Sequence, residues 1–120
     1  MAKDDYDYIV FKILTYLYGV LKRKYLFKIE AFNALISKEV SEEYLSDILR
    51  MMQAEGLIEG LAFTKAWGNY YIILNNESEM RITAEGVRYL NDNGKMKKTK
   101  DIILQGAGLA ATLVQTVFGN

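Results

Sequence analysis

Ser41-Glu42-Glu43-Tyr44-Leu45-Ser46-Asp47-Ile48-Leu49-Arg50-Met51-Met52-Gln53-Ala54-Glu55-Gly56-Leu57-Ile58 carries helix punctuation at both ends. Ser41 is a good N-cap, because its hydroxyl oxygen can accept from a free N–H of the first turn, and Glu42 and Glu43 put carboxylates at the positive end of the helix dipole. Leu45, Ile48, Leu49 and Met52 recur at three- and four-residue spacing, the stripe of a helix with one buried face. Gly56 suits the position just past the helix, where a left-handed backbone is wanted. Beyond it, Leu57, Leu61 and Phe63 share one face of an extended run, Trp67-Gly68-Asn69 has turn chemistry, and Tyr70 to Leu74 supplies a returning strand. Asn75 to Glu79 interrupts with polar residues, Met80 to Ile82 is extended again, and Thr83 caps a further helix that turns Val87 and Leu90 inward.

Upstream, Ile9, Ile13, Leu17 and Val20 form one helical stripe with Val10, Leu14 and Leu21 beside it, and Asp4 or Asp5 can cap its start. Lys22-Arg23-Lys24 falls in the last turn, where the dipole favours cations. Tyr25 to Ile29 is aromatic and β-branched and reads as a short strand or a link, with the strand preferred. Phe32, Leu35 and Ile36 bury one face of a short helix that Ser37-Lys38-Glu39 interrupts, giving the first helix of a helix-turn-helix. Helices are predicted near 5–24, 30–36, 42–55, 84–93 and 96–118, with a β wing over about 57–82. The predicted fold is mainly α with a small β wing (α+β): a winged helix-turn-helix plus a C-terminal helix. In that architecture the helix before Gly56 usually enters a DNA groove.

Asn91-Asp92-Asn93-Gly94 closes the winged-helix portion at residues 1–94. Residues 95–120 belong to the same single domain but change character twice, first to Lys95, Lys97, Lys98 and Lys100, then to an almost uncharged tract from Ile102 to Phe118. Gly106, Ala107, Gly108, Ala110, Ala111 and Thr112 would let such a helix approach another closely. At about 17 residues, and interrupted by Gln105 and Gln115, the tract is at the lower limit for a membrane span. It reads better as a terminal helix that covers the core or pairs with its copy in a dimer, through Ile103, Ala107, Ala110, Val114 and Val117.

Composition removes whole classes of chemistry. The 120 residues suit one domain with a self-sufficient core. There is neither histidine nor cysteine, so disulfides, the common zinc sites, the Ser-His and Cys-His pairs and the usual general base near neutral pH are excluded together. Paired acids such as Asp4/Asp5 and Glu42/Glu43 sit at helix starts, and Gly106-Ala107-Gly108 lacks the Gly-Lys-Ser/Thr ending of a phosphate loop. No enzymatic activity, no metal and no cofactor are expected. The acidic start Met1-Ala2-Lys3-Asp4-Asp5 has no early apolar run and does not read as a secretory signal, which makes the cytoplasm the default.

Net charge is zero, so any basic surface for nucleic acid must be local. Once the apolar stripe of the helix over 42–55 is set aside, Glu42, Glu43, Ser46, Asp47, Arg50 and Gln53 remain, a face of about −2 formal charge. Arg50 and Gln53 could read bases, Ser46 could bind a base or phosphate, and Lys65 on the wing could meet phosphate. Lys22, Arg23, Lys24 and Lys28 could form a second basic area. Each has an ordinary account beside it: a solvated or protein-binding helix face, an edge charge on the wing, a helix end complemented by cations, and Trp67 packed under its hairpin. An exposed Trp67 would point instead to a protein contact.

Leu49 to Ile58, the hairpin, and Ile82-Thr83-Ala84-Glu85-Gly86-Val87-Arg88-Tyr89-Leu90 resemble winged-helix proteins broadly. Together with Tyr8-Ile9-Val10-Phe11-Lys12-Ile13-Leu14 and Lys95-Met96-Lys97-Lys98, they resemble the YjcQ-like family of small bacterial and prophage-associated proteins, over roughly residues 6–104. The resemblance implies a winged helix of unsettled role, since its motifs are helix ends and core positions. The leading reading is a small winged-helix module binding double-stranded DNA, in the manner of a prophage regulator. The competing reading is a non-catalytic winged helix that contacts an unknown protein.

Overall fold

The computed structural model describes residues 6–36 and 40–92. The expected Asp4/Asp5 cap, the break at 37–39, the end of the fourth helix at 93–94 and the C-terminal helix with its Ile103, Ala107, Ala110, Val114 and Val117 stripe lie outside them. Among the described residues the chain is mainly helical with a small β wing, the α+β class that the patterning implies.

Helix α1, Tyr6–Leu21, forms the centre of the core, with Ile9, Val10, Phe11, Ile13, Leu14, Tyr16 and Leu17 all buried. It stops three residues before Lys24. Arg23 adopts a left-handed φ of 62°, its N–H donates to Val20 O (3.1 Å), and the Lys24 N–H donates to Gly19 O (3.0 Å). These two bonds satisfy carbonyls that the last turn leaves open. The basic triplet is thus the cap of α1 and the residues beyond it, and does not occupy the final turn.

The strand expected over Tyr25 to Ile29 is not formed; residues 25–28 are a link that folds back on α1, and Ile29 already begins the next helix. The Tyr25 hydroxyl donates to Tyr16 O (2.9 Å), the two rings stack at 5.0 Å, and the Lys28 N–H donates to the Tyr16 hydroxyl (3.0 Å). Aromatic residues that propensity assigns to a strand here find their partners in a helix, which is tertiary context overriding a weak local preference. Helix α2, Ile29–Leu35, then buries Ala31, Phe32 and Leu35.

Helix α3, Glu42–Ala54, begins as its sequence demands: Ser41 Oγ accepts from the Tyr44 N–H at 3.0 Å. It ends at Gly56 with φ 82°, where the Gly56 N–H donates to Gln53 O and the Leu57 N–H to Met52 O. This is the paired closure that glycine permits without a Cβ penalty.

The wing has an inner and an outer part. Strand β1 (Ile58–Glu59) pairs antiparallel with β4 (Arg81–Ile82), Ile58 opposite Ile82. Outside this clasp, β2 (Phe63–Ala66) and β3 (Tyr70–Ile73) make a hairpin with Lys65 opposite Tyr71 and Ala66 opposite Tyr70. A single 3₁₀ turn, Glu77–Glu79, leads back to β4.

Helix α4, Ala84–Asp92, is locked to the end of α3 by Thr83. The Thr83 hydroxyl donates to Gly56 O and accepts from the Gly86 N–H, while the Thr83 N–H donates to Leu57 O. Gly86 lies so close to this junction that a Cβ there would stand 2.4 Å from Leu57 O and 2.6 Å from a side-chain carbon of Ile82. The two ends of the wing, Gly56-Leu57 and Thr83-Gly86, are therefore in direct contact.

Candidate functional site

Asp47, Arg50 and Gln53 are spaced three residues apart and form one polar stripe along α3. The hairpin lies across that stripe. Asp47 Oδ1 accepts from the Tyr71 N–H at 3.2 Å, and the Arg50 guanidinium sits 4.5 Å from the centroid of the Tyr71 ring. Gln53 Nε2 donates to Leu61 O at 2.8 Å while its Oε1 accepts from the Leu61 N–H at 3.0 Å. Of the three residues nominated for base reading, Ser46, Arg50 and Gln53, the last two are thereby engaged by the chain's own wing. Arg50 Nε is buried with no hydrogen-bond partner, so the guanidinium is held by the tyrosine face and by packing.

Ser46 is half-buried in the cleft between α3 and β3, with Glu42, Glu43, Tyr70 and Ile72 around it. Lys65 is exposed on β2. Of the four nominated residues, Ser46 lines an acid-walled cleft, Arg50 and Gln53 lie under the hairpin, and Lys65 is exposed on β2 directly opposite Tyr71 in the hairpin register. In the second basic area Lys22 lies over the Tyr18 ring at 4.9 Å, Arg23 takes the left-handed cap position, Lys24 is exposed and Lys28 is half-buried.

Trp67 does not pack under the hairpin. It is 97% exposed at the tip, where Gly68 and Asn69 take consecutive positive φ values of 93° and 64° and turn the chain beyond the reach of α3. Leu74 (62% exposed) and Ile72 (39%) lie on the same hairpin and the strand leaving it. A fully solvated indole offers a large rigid apolar area with one N–H donor and loses little side-chain entropy on docking.

Sequence reasoning missed that the polar stripe of α3 is the seat of the hairpin. Its signal was the three-residue spacing of Asp47, Arg50 and Gln53, which aligns three polar side chains as well for an intramolecular seat as for DNA.

Among the described residues no group of three acidic, histidine or cysteine side chains could hold a metal ion. Tyr6 and Tyr89 both have their phenols pushed above the usual value, first by burial and then by the carboxylates of Glu55 and Asp7. That arrangement keeps them protonated, the opposite of an activated nucleophile. No helix of the described residues is long and apolar enough to cross a membrane.

Fold and site together define a small helical protein with a β wing folded over its third helix and an aromatic residue at the wing tip. The YjcQ protein family matches residues 11–104, and the chain belongs to that family. No curated protein and no solved structure matches the chain.

Proposed function

We propose that this member of the family is a non-catalytic protein-contact module that anchors a partner protein through the tip of its hairpin, with Trp67 as the anchor. The observation that carries this reading is the 97% exposure of Trp67 at the end of a hairpin whose base is fastened to α3. Fastening makes the tip a preorganised feature, so little ordering entropy opposes binding. Two of the polar side chains that would read bases, Arg50 and Gln53, are occupied within the chain. The exposed first turn of α3 carries Glu42 and Glu43, which would repel phosphate.

Exposed Lys65 beside the tip supports a second reading, in which the wing meets double-stranded DNA through its backbone and Ser46 and Arg50 turn toward it. Salt separates the two, because each phosphate neutralised adds about 0.9 to the log-log slope of affinity against salt. The test is anisotropy of a labelled mixed-sequence duplex with the full chain at two salt concentrations, alongside partner retention by immobilised wild type and Trp67→Ala. The expected result is no duplex binding and a partner held by wild type but lost by Trp67→Ala at unchanged melting temperature. Salt-sensitive duplex binding that Trp67→Ala leaves intact would reverse the order of the readings.

A further inference from the structure

The described body leaves an apolar strip open beside its last helix. Leu21, at the end of α1, is 40% exposed, and Val20 and Val87 are half-buried. One shallow depression of mixed character runs from Val20 and Leu21 past Arg23, Glu79 and Arg81 to Ile82, and a second, mainly apolar one runs from Leu21 and Ile82 to Val87. Because both contain Leu21 and Ile82, they are one surface crossing α1, β4 and α4.

The family match extends to residue 104, past Asp92, the last described residue of α4. The interval holds Lys95, Lys97, Lys98 and Lys100 and closes on Ile102, Ile103 and Leu104. We propose that residues 102–104 seat on the Leu21, Ile82 and Val87 strip of the same chain. The strip is then a docking surface for the family's own terminal segment and is closed to outside partners.

Reach permits it. From Asp92 to Ile102 an extended chain spans up to about 33 Å, while α4 is only about 13 Å long, so the segment can return along the helix it leaves. Chemistry favours it, since three consecutive apolar side chains and an open apolar strip each gain by leaving water, and the lysines before them can stay solvated. The family match takes in these apolar residues, which suits a segment completing the body.

The chain has no cysteine, so engineered pairs report without background. In the full chain, Ile103→Cys combined with Leu21→Cys or with Val87→Cys should form an intramolecular disulfide under mild oxidation. Ile103→Cys with Thr64→Cys, on the exposed hairpin, should not. Leu21→Ser and Ile103→Ser should each lower the melting temperature, and together should lower it by clearly less than the sum. The proposal is overturned if neither pair cross-links within a monomer, if the Thr64 pair cross-links equally, if cross-links form only between copies, or if the two serine substitutions are additive.

Discussion

Gln53 and Leu61 exchange two hydrogen bonds, the amide nitrogen donating to the Leu61 carbonyl at 2.8 Å and the amide oxygen accepting from the Leu61 N–H at 3.0 Å. A glutamine side chain thus does for Leu61 what a neighbouring strand would do, and it ties the start of the outer hairpin to the last turn of α3. Only a group with a donor and an acceptor on one planar end can make both bonds. Gln53→Ala should cost about 1–3 kcal/mol, because it leaves part-buried backbone groups unpaired. Gln53→Glu should lose the donor and recover little. Urea unfolding gives the cost, and hydrogen exchange should show the Leu61 amide deprotected; protection equal to wild type would mean the pair does not hold the wing.

The Arg50 and Tyr71 contact is the second fastening. Tyr71→Ala removes the ring under the guanidinium, and Arg50→Ala removes the cation and the stem that packs with it. Each should destabilise by about 1–2 kcal/mol, of which the cation–π part is about 0.5–1 kcal/mol. The double variant should cost less than the two singles together, as a double-mutant cycle by chemical denaturation would show.

Glycines 56 and 86 should respond differently to alanine. At Gly56 nothing lies within 4 Å of a new Cβ, so Gly56→Ala meets only the strain of φ 82°, about 1 kcal/mol. At Gly86 the new methyl would meet the Leu57 carbonyl and Ile82, and the junction of α3 with α4 would have to part. Gly86→Ala should cost more, about 1–3 kcal/mol. Paired thermal melts would show the order.

Trp67→Ala should leave stability within about 0.5 kcal/mol of wild type, since a side chain 97% exposed contributes little to the core. As the chain's single tryptophan, Trp67 should also emit as a fully solvated indole and shift to the blue when a partner covers it. Solvated emission that stays unchanged with the partner bound would remove Trp67 from the interface.

Alkaline pH tests the Tyr16 and Tyr25 pair. Burial raises both phenols above the ordinary value of 10.0, Tyr25 the more strongly, while the backbone bond from Lys28 pulls Tyr16 back. The unfolded chain therefore loses these protons first as pH rises. Stability from this source is complete below about pH 10 and falls above it. Tyr25→Phe should be less stable by about 1 kcal/mol at neutral pH, through loss of the bond to Tyr16 O, yet decline less between about pH 10 and 11. Denaturant midpoints at neutral and alkaline pH measure both effects.

Local chemistry sufficed for much of the architecture. The Ser41 cap, the closure at Gly56, the turn at Trp67-Gly68-Asn69 and the Thr83 cap each depend on a few adjacent residues, and each stands where the sequence reading put it. Tyr25 to Ile29 went astray because β propensity is a preference for packing surfaces, and the surface available was the flank of α1.

The α3 face and the tip of the wing were decided at longer range. Whether Asp47, Arg50 and Gln53 meet solvent, DNA or protein depends on where a hairpin many residues later comes to rest, and periodicity does not encode that distance. The sequence showed that α3 has a polar stripe and that a turn carries a tryptophan. Tertiary packing placed the stripe beneath the hairpin and left Trp67 in water, because a short two-stranded wing can bury one face against a helix but cannot cover its own tip.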